Sequence, residues 1–190
     1  SWVEGYAAAG TGDYTSAVEK FIELEQTFLP NNFEILVCIA EWQWKLGRLA
    51  PSMIAFERAR SVDALNLNKM DIFAGMLVAV GQEAPLNALT SAMLQISKAR
   101  PEPWIAAARL CQLQGENALA RKGLPTTLTT GVKYAEKALQ LAPNNIEAEL
   151  ALGAILVLMG ETDRAEQSYR RVYLKGKTYD ACSGLISSYL

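Results

Sequence analysis

The 190-residue chain contains no histidine. That absence removes imidazole-based acid–base chemistry, Ser-His-Asp and Cys-His nucleophile pairs, and most zinc sites. Cysteine is scarce. Cys38, Cys111 and Cys182 stand far apart, form no Cys-x-x-Cys pair, and offer no disulfide framework. With no Asn-x-Ser/Thr sequon either, the chain reads as intracellular, from a reducing compartment. It also lacks a surplus of either charge: 18 basic and 20 acidic residues leave a net charge of −2. No basic field exists to hold a phosphate backbone, which argues against nucleic acid as a partner. The longest apolar run, Leu150 to Met159, is half the roughly 20 residues needed to cross a bilayer, so no membrane partner is expected. No charged-then-apolar leader opens the chain.

What is present is apolar and periodic. Apolar residues make up 51% of the chain, enough for a continuous core. The stretch from Tyr134 to Tyr169 reads as helix, sharp turn, helix, tight turn, helix. Pro143-Asn144-Asn145 stops the first helix and Gly160 ends the second. Small residues such as Gly153 and Ala165 stand beside large ones, Leu156 and Tyr169. The pattern recurs. Gly12, Gly47, Gly81, Gly115 and Gly160 are spaced by 35, 34, 34 and 45 residues, and are expected to end the first helix of each pair. Gly5, Ala40, Ala74, Ala108 and Gly153 repeat the same four spacings inside those helices. A unit of about 34 residues is the tetratricopeptide (TPR) period. The spacing of 45 is 34 plus 11, which marks an insertion at 116–126 in the fourth unit, read as a surface loop with one helical turn at Glu116 to Arg121.

The expected fold is therefore all-α: a TPR-type α-solenoid, a right-handed superhelix of antiparallel helix pairs, with about eleven helices and no strands. A single array would cover 1–190, as five units plus the first helix of a sixth from Tyr179 to Leu190. All seven prolines fall at element edges or in the insertion, in agreement. The chain opens and closes inside helical patterns, so it reads as a piece of a longer one. At the far end, Leu185, Ile186, Tyr189 and Leu190 would face a missing partner helix.

Nothing in the pattern carries catalysis, and no cofactor or metal is implied. Gly176-Lys177-Thr178 resembles the end of a phosphate loop, but Arg171 stands where its glycine is required. Cys38 and Cys111 lie on or beside apolar faces, and Glu147/Glu149 and Glu161/Asp163 sit at helix starts, where they complement the dipole. First helices line the concave surface of a TPR array. Repeat spacing places there Trp2, Tyr6, Glu34, Val37, Glu41, Trp44, Asp71, Glu102, Ile105, Arg109, Gln112, Glu147 and Leu150. This aromatic and acidic groove suits a peptide with basic and apolar side chains. It does not suit an acidic chaperone tail, because Trp2, Tyr6, Val37 and Glu41 occupy the clamp positions.

Four segments carry a narrower likeness: LNKMDIFAGMLVAVGQ (Leu67 to Gln82), EPWIAAARL (Glu102 to Leu110), AEKALQLAPNNIEAELALGAILVLMG (Ala135 to Gly160) and TYDACSGLISSYL (Thr178 to Leu190). In order and near-spacing they resemble the subunit-seven family of the anaphase-promoting complex. The insertion, Trp42, Trp44 and Ala64 depart from that pattern. The resemblance implies a non-catalytic scaffold subunit of a ubiquitin ligase in cell-cycle control, present in nucleus and cytoplasm. Its partners would be other TPR subunits, with homodimerisation through repeats preceding Ser1. Two other readings stay open: a different TPR peptide-binding adaptor or assembly factor, or the TPR segment of an enzyme whose catalytic domain lies elsewhere.

Overall fold

A computed structural model describes residues 1–123, 126–176 and 179–189. Among them are eleven α-helices and no strand: α1 Trp2–Gly10, α2 Tyr14–Thr27, α3 Phe33–Lys45, α4 Leu49–Val62, α5 Met70–Ala79, α6 Glu83–Ile96, α7 Glu102–Ala120, α8 Leu128–Leu141, α9 Ile146–Met159, α10 Thr162–Gly176 and α11 Tyr179–Tyr189. The expected all-α class and the TPR-type helix pairs are both present. They fall into two compact units, Ser1–Met76 and Leu77–Leu190, with the boundary inside α5. Lys177, Thr178 and Leu190, and the side chain of Tyr189, lie outside what is described, and with them the expectations placed there.

Local sequence sets the helix ends. The side chains of Asp13, Asn32 and Asn145 each accept the N–H three residues on, at 3.1, 3.1 and 2.9 Å, and so cap α2, α3 and α9. The turns at Gly12, Gly47, Gly81 and Gly160 take φ of 84°, 71°, 69° and 76°, a left-handed conformation that favours glycine.

In the first unit α1 packs on α2, α2 on α3 and α3 on α4. An aromatic cluster fills its start: Phe21 meets Trp42 edge-on with centroids 4.7 Å apart, and Trp2 and Tyr6 lie against Phe21 at 5.2 and 5.4 Å. Further along, Phe56 stacks on Phe73 at 5.2 Å. In the second unit each helix packs on the next, and α7 also meets α9, and α9 meets α11, as stacked pairs require. Its core holds Leu128, Leu152, Ile155, Leu156, Tyr169 and Val172.

The insertion is helical where one turn was expected, but as a continuation of α7. Gly115 does not end its helix, and α7 runs on to Ala120. Two features carry it. A Cβ at Gly115 would lie 2.2 Å from Leu128 Cδ2, so this glycine serves close packing against α8 rather than a turn. Glu83 accepts hydrogen bonds from Gln114 (3.3 Å) and Asn117 (2.9 Å), which ties the added helical stretch to α6. The turn comes later, with Lys122 at φ 56°. Residues 116–120 are therefore helix, and the loop begins at Arg121.

Tyr169 is held between two glycines: a Cβ on Gly153 would sit 2.8 Å from its ring, and one on Gly184 2.3 Å. With a bare backbone on both sides, the ring has nowhere to retreat. Gly153→Ala is expected to lower stability by about 1–3 kcal/mol in urea unfolding. Gly10→Ala, where nothing lies within 4 Å of the new methyl, should leave stability unchanged or slightly higher.

Candidate functional site

The groove expected from repeat spacing divides into buried and accessible residues. Val37 and Ile105 are 0% exposed and Leu150 is 5% exposed. Those three belong to the packing between helices and present nothing to a partner, which corrects their assignment to the groove. The cause is the flanking helices: α3 packs on α2 and α4, α7 on α8 and α9, and α9 on α10 and α11, so an apolar side chain facing them turns inward.

Asp71, Glu102 and Gln112 are buried as well. Glu102 binds the Arg100 guanidinium, with Nε donating to Oε2 at 3.1 Å. Tyr6 and Glu34 are exposed, and Trp2, Glu41, Trp44, Arg109 and Glu147 are half-buried.

In the first unit the accessible residues meet cations that repeat spacing did not place in the groove. Glu41 receives Lys69 at 2.6 Å and Lys45 at 2.7 Å. Glu34 accepts from Asn68 Nδ2 at 2.9 Å. Lys69 Nζ also lies 3.4 Å from Cys38 Sγ, and the Tyr6 hydroxyl is 3.2 Å from the same sulfur. Lys69 takes φ 61°, a conformation that aims the loop before α5 towards α3. Lys45 was legible as the i+4 partner of Glu41. Lys69 was not, because its reach depends on that left-handed residue. The face is therefore ion-paired rather than acidic.

The electrostatics follow from these contacts. Burial by itself would raise the Glu41 pKa, but Lys69 and Lys45 outweigh it and hold the carboxyl below its ordinary range. Burial would likewise lower Lys69, yet Glu41 and the Cys38 sulfur hold it above the usual lysine value. Burial, then the Cys38 contact, pushes the Tyr6 hydroxyl up, so it stays a neutral phenol. Burial also raises the Cys111 thiol.

The second unit carries a separate network. Arg109 donates to Gln112 Oε1 at 3.0 Å and reaches Glu147 at 3.4 Å, and Gln112 Nε2 donates to Glu116 at 2.8 Å. Deeper in, Arg171 grips Glu149 with Nε and Nη2 at 2.8 and 3.0 Å. Trp104 is half-buried against Tyr134, and its Nε1 donates to the Lys98 carbonyl at 2.9 Å. Among the described residues no group of three His, Cys, Asp or Glu could hold a metal ion. No helix among them is long and apolar enough to cross a membrane.

Helix pairs of this length, turned by left-handed glycines and locked by a ring against a small residue, define a tetratricopeptide-repeat protein. Solved structures agree on the fold. PilW, a type IV pilus biogenesis factor, matches with TM-score 0.64 and 14% identity, over 99% of this chain and 87% of that one. TTC0263, a TPR protein of Thermus thermophilus, matches with TM-score 0.60 and 18% identity, over 99% and 96%. No family model matches the chain. Among curated sequences the chain resembles anaphase-promoting complex subunit 7. It is 28% identical over 191 residues to the Mus musculus and Homo sapiens proteins, and 28% over 189 residues to the Arabidopsis thaliana protein. Each alignment covers 100% of this chain and 32% of the relative, so the chain spans about a third of the length of these relatives.

The Glu41–Lys69 pair gives the first unit a defined pH response. The folded Glu41 pKa lies below its unfolded value, so its contribution is present above about pH 4.3 and is lost as pH falls through the folded value. Lys69 works at the other end: its contribution is present below about pH 10.4 and is lost as pH rises through the raised folded value. Glu41→Gln is expected to cost roughly 1–3 kcal/mol at pH 7 and to flatten the loss of stability on acidification. Urea unfolding at pH 7 and pH 3.5, followed by tryptophan fluorescence, measures both.

Proposed function

We propose that this chain is a non-catalytic interaction scaffold that works as a TPR subunit of an anaphase-promoting-complex-type ubiquitin ligase, in cell-cycle control and protein ubiquitination. One observation carries the reading: the likeness to subunit 7 runs through all of this chain, at 28% identity to relatives from two mammals and a plant. The solved TPR structures support the fold alone. Protein partners suit the accessible residues, since Trp2, Tyr6 and Trp44 offer aromatic surface beside the ion pairs of Glu41 with Lys69 and Lys45. On this reading the mechanism is geometric: packed helices hold a partner's segment in place, and no bond is made or broken. Its neighbours are other TPR subunits, the full-length protein is a homodimer, and it resides in nucleus and cytoplasm. The groove assignment is carried forward for Trp2, Tyr6, Glu34, Glu41, Trp44, Arg109 and Glu147.

Affinity purification of the full-length protein from its source, with identification of what co-purifies, tests the reading. Ubiquitin-ligase subunits are expected, and their absence would sink it. Trp44→Ala tests the groove: a loss of about 2 kcal/mol in partner affinity is expected of an interface hot spot. Unchanged affinity with lowered stability would instead assign Trp44 to the core.

A further inference from the structure

We infer that Cys38 and Lys69 form an oxidative crosslinking site in the first unit. Hydrogen peroxide converts the Cys38 thiol to a sulfenic acid, and the Lys69 amine condenses with it to a sulfenamide. The product is a covalent Sγ–Nζ bond that ties α3 to the loop before α5. Nothing in the ligase reading enters this chemistry, so the site stands or falls apart from it.

Placement of the amine carries the inference. Cys38 and Glu41 are three residues apart on α3 and share a face. The tip of Lys69 reaches both, with Nζ 3.4 Å from Cys38 Sγ and 2.6 Å from the Glu41 carboxylate. The backbone fixes that approach. Lys69 takes φ 61°, which a side-chain-bearing residue holds only where its surroundings impose it. Its neighbour Asn68 is tied to α3 by the 2.9 Å bond to Glu34. A nucleophile held at contact distance in this way reacts far faster than one drawn from solution.

The surroundings select the product. A sulfenic acid is consumed by a thiol or by a nitrogen nucleophile. Cys38 is the sole cysteine of Ser1–Met76, so no thiol of its own unit competes. At 1% exposure the sulfur is closed to a thiol the size of glutathione. The groups over it include two polar tips, the Tyr6 hydroxyl at 3.2 Å and Lys69 Nζ. The lysine side chain is 24% exposed on a flexible four-carbon stem, and its swing admits hydrogen peroxide, which is little larger than water.

The steps balance. The peroxide O–O bond breaks, one oxygen enters the S–H bond, and the other leaves as water. Lys69 Nζ then attacks Sγ, the S–O bond breaks, and that oxygen leaves as a second water with one hydrogen from the amine. Sulfur gives up two electrons and peroxide takes them, while nitrogen is neither oxidised nor reduced. At rest Glu41 holds Lys69 as an ammonium, so the same carboxylate, 2.6 Å away, is placed to take the proton before the attack. Once the bond closes, the Lys69 charge is gone and Glu41 keeps Lys45 alone, at 2.7 Å. Oxidation thereby turns an ion-paired face acidic.

The test treats the full 190-residue chain with hydrogen peroxide, blocks the remaining thiols, digests it without reductant and reads the peptides by mass spectrometry. A linked pair holding Cys38 and Lys69 is expected, lighter by two hydrogens than its two peptides together and parted by dithiothreitol. Lys69→Arg, which keeps a cation beside Glu41, should abolish the pair and send Cys38 on to sulfinic or sulfonic acid. Lys45→Arg should leave the yield unchanged. The inference is overturned if the unaltered chain carries Cys38 to sulfinic or sulfonic acid without the link. It is overturned equally if Cys38 stays reduced at peroxide levels that oxidise Cys182, if the linked pair retains a peroxide oxygen, or if Lys69→Arg links Cys38 to another lysine in the same yield.

Discussion

The constraint on which both units depend is close approach: helices come near enough for an aromatic ring to lie against a bare backbone. A Cβ on Gly5 would sit 2.3 Å from Phe21, and one on Gly153 or Gly184 would collide with Tyr169. Burying such a ring removes roughly 150–250 Å² from water, about 4–6 kcal/mol before entropy is counted. The ring therefore dictates the spacing of the helices, and a single methyl on the glycine opposes it. Everything else about the units follows from which faces remain once these contacts are made.

What remains is a set of polar residues that partner one another at modest depth. Glu41 with Lys69 and Lys45, and Arg109 with Gln112 and Glu147, tie adjacent helices together without forming a field of one sign. Such groups are suited to holding and orienting a protein surface. Cys38 and Cys111 are buried within the packing, and the Cys111 thiol is further from ionisation than in water. On the other side of α3, the groove of α2, α3 and α4 is lined mostly by apolar side chains, with the paired Glu25 and Arg58 and two amides, Gln26 and Gln43.

The repeat was legible because glycine and alanine at fixed intervals report backbone approach directly. Pro143-Asn144-Asn145 likewise marked a helix end, and α8 stops at Leu141, with Asn145 then capping α9. Sequence spacing failed where one residue type has two uses. Gly115 looks like a turn by its interval, but serves close packing against Leu128, so α7 continues into the insertion. Spacing also says which side of a helix a residue occupies without saying how deep it lies. Val37, Ile105 and Leu150 share a side with Glu41, Arg109 and Glu147, yet are buried by the flanking helices. Lys69 escaped notice because its reach to Glu41 depends on a left-handed residue that lysine rarely adopts.

The central claim is that this chain works by holding another protein against the faces its packing leaves accessible. Lysine crosslinking with mass spectrometry, on the full-length protein in its native assembly, measures this directly. Lys45 and Lys69 flank the Glu41 face, whereas Lys133 and Lys137 lie exposed on α8. The account predicts crosslinks from Lys45 or Lys69 to a different polypeptide, of higher yield than those from Lys133 and Lys137. Crosslinks from Lys45 and Lys69 confined to this chain, with a partner bound elsewhere, would contradict it.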